Sequence, residues 1–432
     1  LCWDRDDLLS VDLCRPTRRG IHLLDIIGGT GCADPRAPEL QLGFQGDSAD
    51  TRSLLSTCQS VSDRLVSGFG GVEFDNLTGR HGKGAVSDAG RQGWKYHFPS
   101  WGDKLSIVFP YDWHGMPNPG FCWNGSEGST QFPPWPSGYE GASKLIAVPK
   151  TQKTPRLIAS EPTAQQWMQQ ALQDLLRFWV ASSDLSSCID FLSQEPSREL
   201  CLTASKTRSL ATIDLSEASD RISLWLVERV FRSNLDLLNA LHATRTRLIR
   251  NPIDKKQDRV LPVLKFSMMG SAVTFPLQSI IFSIMAIAAV IHTDGKRVSR
   301  KAIADSARMV RVYGDDIIVP VRAYGNLVTL LHRVGLKVNE TKSFERGPFR
   351  ESCGMDAVGG YSVTPAYFLQ PYEAENPESV ASVVESSNNF HYVGMWKTAR
   401  YILDLLPESK RRDIIVGRCI PTPAHKIARS VT

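Results

Sequence analysis

Residues 308–321 read RMVRVYGDDIIVPV, two short apolar segments joined by Tyr313-Gly314-Asp315-Asp316. Short runs rich in Val and Ile with a Gly-Asp link between them predict a β-hairpin with both aspartates at its tip. Gly314 permits the sharp turn that lets adjacent aspartates face one point. A carboxylate pair of this kind suits a hard divalent cation. An Asp-rich surface turn is the structural alternative, with about equal weight for the motif taken alone.

A further carboxylate stands beside another predicted strand. Residues 211–215 (ATIDL) read as a buried strand, and a helix is predicted after it from apolar residues in 3-4-4-3 spacing. Carboxylates that converge from separate strands can hold two magnesium ions. Such a pair of ions serves phosphoryl transfer, because that reaction requires the reacting atoms to be held in line and their negative charge to be neutralised. The candidate ligands are the side chains of Asp214, Asp315 and Asp316 and the backbone carbonyl of Leu215.

The composition sets outer bounds on the class of protein. With 432 residues the chain exceeds one ordinary core, so two or three lobes are expected. The hydrophobic share of 42% and the charged share of 22% are those of a globular protein, and a net charge of +5 permits a polyanionic partner without requiring one. The apolar run 280–291 is too short to cross a bilayer, which predicts a buried helix and no membrane association. Because the chain begins at Leu1, a truncated or processed N-terminus is expected.

Other patterns predict the elements around the carboxylates. A helix is expected after Glu161-Pro162, a basic hairpin over residues 245–265, a long apolar helix from Gly270, and a helix ending at Gly335 as its C-cap glycine. The helix after Asp214 is predicted to be continuous through Leu224, Val227, Phe231, Leu235 and Leu238.

Six strings, in this order, resemble the replicases of levivirus-type single-stranded RNA bacteriophages. They are 148–156 (VPKTQKTPR, leading into Glu161-Pro162) for motif F, 211–220 (ATIDLSEASD) for motif A, Met269-Gly270 with Thr274 and Phe275 for motif B, 312–320 (VYGDDIIVP) for motif C, 339–344 (NETKSF) for motif D, and 347–354 (GPFRESCG) for a following segment. The resemblance spans roughly residues 144–370, about half of the chain.

The resemblance implies an α+β right-hand polymerase with fingers, palm and thumb, whose palm is an antiparallel sheet backed by helices. By the order of the motifs, residues 1–140 would form an accessory and fingers region and 141–208 the fingers with motif F. Residues 209–370 would form the palm, with a fingers insertion near 240–266. Residues 371–432 would form a thumb that ends early for this family.

The resemblance also assigns residues on the substrate side. The triphosphate would be bound by Lys150, Lys153 and Arg156, and the arginine could bind a phosphate group through two hydrogen bonds. A solvated basic loop is the alternative. Either Ser219 or Asp220 would lie near the incoming ribose; capping of the following helix is the alternative for both.

Two further assignments concern motifs B and D. Gly270 would allow a close backbone approach, and Thr274 and Gln278 share a helical face that would read ribose or template, with a core-facing Thr274 as the alternative. Lys342 would protonate the departing pyrophosphate, with an exposed surface lysine as the alternative.

The family implies RNA-directed RNA synthesis in the cytoplasm of an infected bacterium. The expected cofactor is Mg²⁺, two ions, with Mn²⁺ as a substitute. The expected partners are template and product RNA, ribonucleoside triphosphates, host translation factors and a ribosomal protein. A reverse transcriptase would share the carboxylates, and a catalytically inactive RNA-binding palm protein would have lost them.

Overall fold

The computed structural model describes residues 48–88, 95, 98, 100–115, 140–148, 155–253, 259–412, 414–418 and 426–430. The chain divides into two compact units, the first ending at Tyr361 and the second beginning at Ser362. Both units contain helices and short, mainly antiparallel sheets. The prediction of a mixed helix-and-sheet protein is therefore confirmed.

The first unit holds ten α-helices within the described residues. They are α1 (Ala49–Ser67), α2 (Asp103–Ser106), α3 (Tyr111–His114), α4 (Thr163–Ala181), α5 (Glu195–Thr207), α6 (Leu224–Phe231), α7 (Leu235–Thr244), α8 (Thr274–Thr293), α9 (Arg300–Ala307) and α10 (Tyr324–Arg333). Short 3₁₀ turns join several of them, including Ala218–Arg221 after the short strand Leu215–Ser216.

The strands of the same unit are mostly two to six residues long. They are β1 (Ser143–Val148), β2 (Arg156–Ser160), β3 (Leu210–Ile213), β4 (Leu215–Ser216), β5 (Leu248–Arg250), β6 (Val260–Pro262), β7 (Arg311–Tyr313), β8 (Asp316–Pro320), β9 (Lys337–Val338), β10 (Phe349–Ser352), β11 (Met355–Val358) and β12 (Tyr361–Ser362). The strand orders are β3-β8-β7, β4-β9, β2-β1-β5-β6 and β10-β11-β12.

Helix α8 forms the centre of the core. Every residue from Leu277 to Ile291 is buried, and helices α1, α4, α9 and α10 pack around it. Among the described helices it alone has the length and apolar composition of a membrane span, but 94% of its apolar window lies inside the protein. The predicted buried helix is thus confirmed, because the surrounding helices supply the apolar environment that its side chains require.

Two sheets correspond to patterns predicted from the sequence. In the β3-β8-β7 sheet all pairs are antiparallel, with Ile213 opposite Ile317 and Tyr313 opposite Asp316. The predicted basic hairpin is confirmed as β5 and β6, which pair through Ile249 and Leu261. Strand β5 also pairs in parallel with β1 and so extends the β1-β2 hairpin into a four-stranded sheet.

The prediction of one continuous helix after Asp214 is wrong. The chain forms α6, turns, and starts again as α7, because Asn234 caps the second helix: its side chain accepts a hydrogen bond from the N–H of Leu237 at 3.0 Å. The Asn234 side chain also donates to the Gly70 carbonyl at 2.7 Å, which secures the break. The helix after Glu161-Pro162 is confirmed as α4, and Gly335 follows α10 with a φ of +83°, as a C-cap glycine should.

The second unit is smaller. Its described elements are α11 (Glu378–Tyr392), α12 (Trp396–Asp404), α13 (Glu408–Arg411) and the antiparallel pair β13 (Ile414–Arg418) and β14 (Lys426–Ser430). Its apolar core is a small cluster in which Val383 and Val384 of α11 meet Ile402 and Leu406.

Candidate active site

Strand register brings the predicted carboxylates to one end of the β3-β8-β7 sheet. Because Ile213 is paired with Ile317, Asp214 and Asp316 are the next residues on two antiparallel neighbours. Asp315 occupies the two-residue turn between Tyr313 and Asp316 and is exposed. Three acidic side chains that are distant in sequence therefore share one edge of the sheet.

Helix α8 holds the turn that carries Asp315. The N–H of Gly314, which has a φ of +63°, donates to the Ser279 hydroxyl at 3.2 Å. A side chain at Gly314 would bring its Cβ to 2.9 Å from the Phe275 ring, whose centroid lies 5.1 Å from that of Tyr313. Ser279 was not a predicted site residue, and a serine in an apolar helix gives no sequence signal that would single it out.

The backbone around Asp214 is bonded to the segment that carries Lys342. The Asp214 carboxylate accepts from the Asn339 amide at 2.9 Å, the Asp214 N–H donates to the Ser343 hydroxyl at 3.1 Å, and the Asp214 carbonyl accepts from the Asn339 N–H at 2.9 Å. Leu215, whose carbonyl is the other predicted ligand, begins β4 and is paired with Val338 of β9. Asn339 and Ser343 belong to the motif D string but were not predicted as site residues.

Burial and neighbouring negative charge disfavour the ionisation of Asp214 and Asp316. Burial, followed by the charges of Asp315 and Asp214, raises the pKa of Asp316 to about 7, although the Cys353 N–H donates to its carboxylate. Burial likewise raises the pKa of Asp214, with Asp315 adding to the shift and the Asn339 hydrogen bond opposing it. Cys353 reaches Asp316 from the tight β10-β11 turn, where its φ is +50°.

These oxygens have the chemistry that a hard divalent cation requires. They are carboxylates with mutually repelling charges, and a cation would relieve that repulsion. Within the residues that the structure describes, however, no three Asp, Glu, His or Cys side chains form a group that could already hold a metal ion. The carboxylates are therefore neighbours on one sheet edge and not a preformed ligand cluster.

Lys342 lies beside the same edge. Its ammonium contacts the Glu351 carboxylate at 3.0 Å, and its side chain is about half exposed. That hydrogen bond, followed by the charges of Glu351, Asp214 and Asp316, raises the pKa of Lys342. The lysine thus stays protonated at neutral pH, and its charge is felt by two of the three aspartates.

The structure separates the two ribose candidates. Ser219 is buried in the 3₁₀ turn, whereas Asp220 is exposed and forms an ion pair with Lys265. Neither caps the following helix, because Ser223 does so by accepting from the Leu226 N–H at 3.2 Å. The capping alternative for Ser219 and Asp220 is therefore wrong.

Of the predicted motif B residues, Thr274 and Gln278 are buried, whereas Gly270 is exposed. Gly270 has a φ of +123°, and a Cβ there would lie 1.9 Å from the Ala159 carbonyl oxygen, so its close backbone approach is to strand β2. The Thr274 hydroxyl donates a hydrogen bond to the Met268 carbonyl at 2.9 Å, so this side chain is engaged inside the protein, which favours the core-facing alternative. Gln278 lies beside the Gly314 turn, and its side-chain oxygen is buried without a hydrogen-bond partner in the described structure.

The basic residues of motif F are described only in part. Lys150 and Lys153 lie outside the described residues. Arg156 is the first residue of β2, opposite Val148, and is exposed. It lies on the same sheet face as the exposed residues Lys144 and Arg250, by the β1-β2 and β1-β5 registers.

The comparisons with known sequences agree on one family. The sequence model described as RNA replicase, beta-chain, matches residues 138–403. The chain is 37% identical over 237 residues to the RNA-directed RNA polymerase subunit beta of Enterobacteria phage SP, covering 53% of this chain and 36% of that protein. It is 31% identical over 301 residues to the subunit of the same name of Qbeta virus (strain MX1), covering 68% and 46%.

The chain thus spans less than half of the length of these relatives. Among solved structures, the RNA-dependent RNA polymerase of a human picorbirnavirus aligns with a TM-score of 0.43 and 13% identity, covering 61% of this chain and 55% of that one.

Proposed function

The chain belongs to the RNA replicase beta-chain family, and on this basis we propose that it catalyses RNA-directed RNA synthesis for a single-stranded RNA bacteriophage. The site of action would be the cytoplasm of the infected bacterium. The observation that carries the proposal is the register that sets Asp214 and Asp316 side by side, with Asp315 in the adjoining turn.

Asp214, Asp315 and Asp316 would hold two magnesium ions, with the Leu215 carbonyl as a further oxygen ligand. Bound magnesium would activate the 3′ hydroxyl of the growing strand and neutralise the triphosphate, and Mn²⁺ would substitute. The sheet keeps the carboxylates at one edge before any cation binds, which lowers the cost of assembling the site. The hydrogen bonds from Asn339 and Cys353 orient two of them.

Other side chains would act on the substrate. Lys150, Lys153 and Arg156 would neutralise the triphosphate, and Lys342 would donate a proton to the departing pyrophosphate. Lys342 carries that proton at neutral pH, although its raised pKa makes it a weaker acid than an ordinary lysine. The nucleotide would be bordered by Gly270, Thr274 and Gln278. Thr274 would contribute by holding the Met268 carbonyl through its hydrogen bond.

For ribose selection, Ser219 and Asp220 differ in what they can offer. Asp220 is already bound to Lys265. Ser219 is buried next to Asp220 and has a hydroxyl that can accept or donate one hydrogen bond to a 2′ hydroxyl.

We further propose the right-hand arrangement, in which residues 209–370 form the palm and 141–208, with an insertion near 240–266, the fingers. Residues 1–140 would form an accessory and fingers region, and residues 371–432 would belong to the thumb. The partners would be template and product RNA, ribonucleoside triphosphates, host translation factors and a ribosomal protein.

The test is nucleotide incorporation on a phage-type RNA template, with and without Mg²⁺ and with and without bacterial extract. Magnesium-dependent incorporation of ribonucleotides in preference to deoxyribonucleotides supports the proposal. Preferential incorporation of deoxyribonucleotides would indicate a reverse transcriptase. RNA binding with no incorporation under any of these conditions would indicate an inactive RNA-binding protein.

A further inference from the structure

The second unit contains a pocket that the proposed chemistry does not use. It has a volume of about 480 Å³ and lies between α11, α12 and α13. Its apolar lining comes from Ala399 and Leu403, and its polar lining includes Asn388, His391 and Arg400. The volume falls within the range of small-ligand sites.

An exposed indole borders this pocket. Trp396, at the start of α12, is one of the residues that line the pocket and is 61% exposed. Tyr401, on the same helix, is 65% exposed, and Tyr392 at the end of α11 is 49% exposed. Of these three exposed aromatic residues, Trp396 alone is among the residues that line the pocket. A flat ring at the mouth of a pocket is suited to stacking.

The charge at the pocket favours an anion. Arg400 is exposed, and among the residues that the structure describes it has no ion-pair partner. The one carboxylate in the lining, Asp404, is bound to Arg411 at 2.8 Å. Lys397, next to Trp396, is also exposed. The pocket therefore combines a stacking surface with uncompensated positive charge.

We propose that this pocket binds a nucleotide of single-stranded RNA, with the base stacked on Trp396 and its phosphate at Arg400. An acidic peptide would pair with the charge of Arg400 but would not provide a flat ring to stack on the Trp396 indole, so a nucleotide fits the pocket better. Aromatic stacking combined with a basic rim is the arrangement by which proteins bind single strands without regard to sequence. The choice of RNA rests on the proposed function; the choice of a single-stranded polyanion rests on the pocket.

The test measures binding of a fluorescent oligouridylate by the full chain in EDTA, so that catalysis does not contribute. Trp396→Ala is expected to weaken binding about tenfold, the scale of one stacked base. Trp113→Ala is the matched control, because Trp113 is a similarly exposed indole, at 65%, in the first unit. It should leave binding unchanged, and Trp396→Phe should restore most of it.

A second variant tests the phosphate contact. Arg400→Gln is expected to lower the slope of log affinity against log salt by about 0.7, the value for one phosphate of a single strand. Crosslinking of a 4-thiouridine-containing strand should label the peptide that contains Trp396. Equal effects of Trp396→Ala and Trp113→Ala, or no label at that peptide, would overturn the proposal and leave a protein partner as the occupant.

The two proposals fail in different ways. If the wild-type chain incorporates ribonucleotides but Trp396→Ala binds RNA normally, only the pocket assignment is wrong. If incorporation is absent while Trp396→Ala and Arg400→Gln weaken binding as expected, only the polymerase assignment is wrong.

Discussion

Two sheets of the first unit carry charged residues of the candidate site in opposite surroundings. In the β3-β8-β7 sheet, Ala211, Thr212 and Ile213 are buried, as are the four residues that follow Asp316 in β8. In the β2-β1-β5-β6 sheet, all of β6 and the first two residues of β2 are exposed. The carboxylates thus lie at the end of a buried sheet, whereas Arg156 lies on a solvent-exposed one.

The difference follows from what each group must do. Carboxylates that share a cation need fixed positions, and errors of about 1 Å can cost about a hundredfold in rate. Basic side chains that attract a triphosphate act over longer distances, so their positions need not be fixed as closely. We therefore expect substitutions at the buried β3-β8-β7 sheet to reduce the rate of incorporation strongly and substitutions on the exposed β2-β1-β5-β6 sheet to reduce it only moderately.

Gly314→Ala should cause the largest loss among variants that keep every charge. Alanine at a φ of +63° is strained, and its methyl would press on Phe275, so the turn carrying Asp315 must move. Incorporation is expected to fall about a hundredfold. Gly325→Ala is the control, since nothing lies near its Cβ position and its φ is ordinary; equal rates for the two variants would contradict the account.

Ser279→Ala should have the next largest effect. It leaves the buried Gly314 N–H without its acceptor, which costs about 1–3 kcal/mol and loosens the turn. We expect kcat to fall about tenfold with little change in the nucleotide KM. Ser283→Ala, at an equally buried serine on the same helix, should retain wild-type kcat. A similar fall in both variants would assign the effect to the core and not to the turn.

Arg156→Ala tests the exposed sheet. Because Arg156 is solvated, its loss should raise the nucleotide KM only about threefold to fivefold, with a smaller change in kcat. Arg308→Ala, at an exposed arginine on the chain following α9, is the control. A hundredfold loss of kcat for Arg156→Ala would show that the two sheets do not differ as described.

The smallest effect concerns stability without metal. The folded pKa of Asp316, about 7, lies above the unfolded value near 3.8. Its contribution therefore favours folding fully below the unfolded pKa near 3.8 and is lost progressively as the pH rises from there through about 7. In EDTA, Asp316→Asn should melt at least about 2 °C above wild type at pH 8, and this difference should shrink as the pH is lowered towards 4. If the difference in melting temperature between Asp316→Asn and the wild type did not change with pH, the claim that burial and charge disfavour an ionised Asp316 would be contradicted.

The sequence was most informative where apolar runs and turn residues coincide. The strands flanking Gly314, helix α4 and helix α8 are confirmed because their local pattern and their burial agree. The three aspartates were predicted to form one site because each stands beside an apolar strand, and the family resemblance strengthened that prediction. Their shared edge depends on the pairing of β3 with β8, and no local pattern specifies a partner strand that distant in sequence.

Long-range bonds also explain what was missed. The break between α6 and α7 depends partly on the Gly70 carbonyl that receives Asn234. The parallel pairing of β1 with β5 and the support of Gly314 by Ser279 join segments far apart in the chain. Each of these is a polar contact formed on folding, and neither residue type nor spacing predicts it.

The most direct test of the central claim is Asp315→Asn. The substitution keeps the size of the side chain and removes one of the three charges at the sheet edge. The account predicts that template-directed ribonucleotide incorporation is lost over the whole range of a Mg²⁺ titration while RNA binding in EDTA is unchanged. Incorporation by Asp315→Asn at the wild-type rate and the wild-type Mg²⁺ requirement would contradict it.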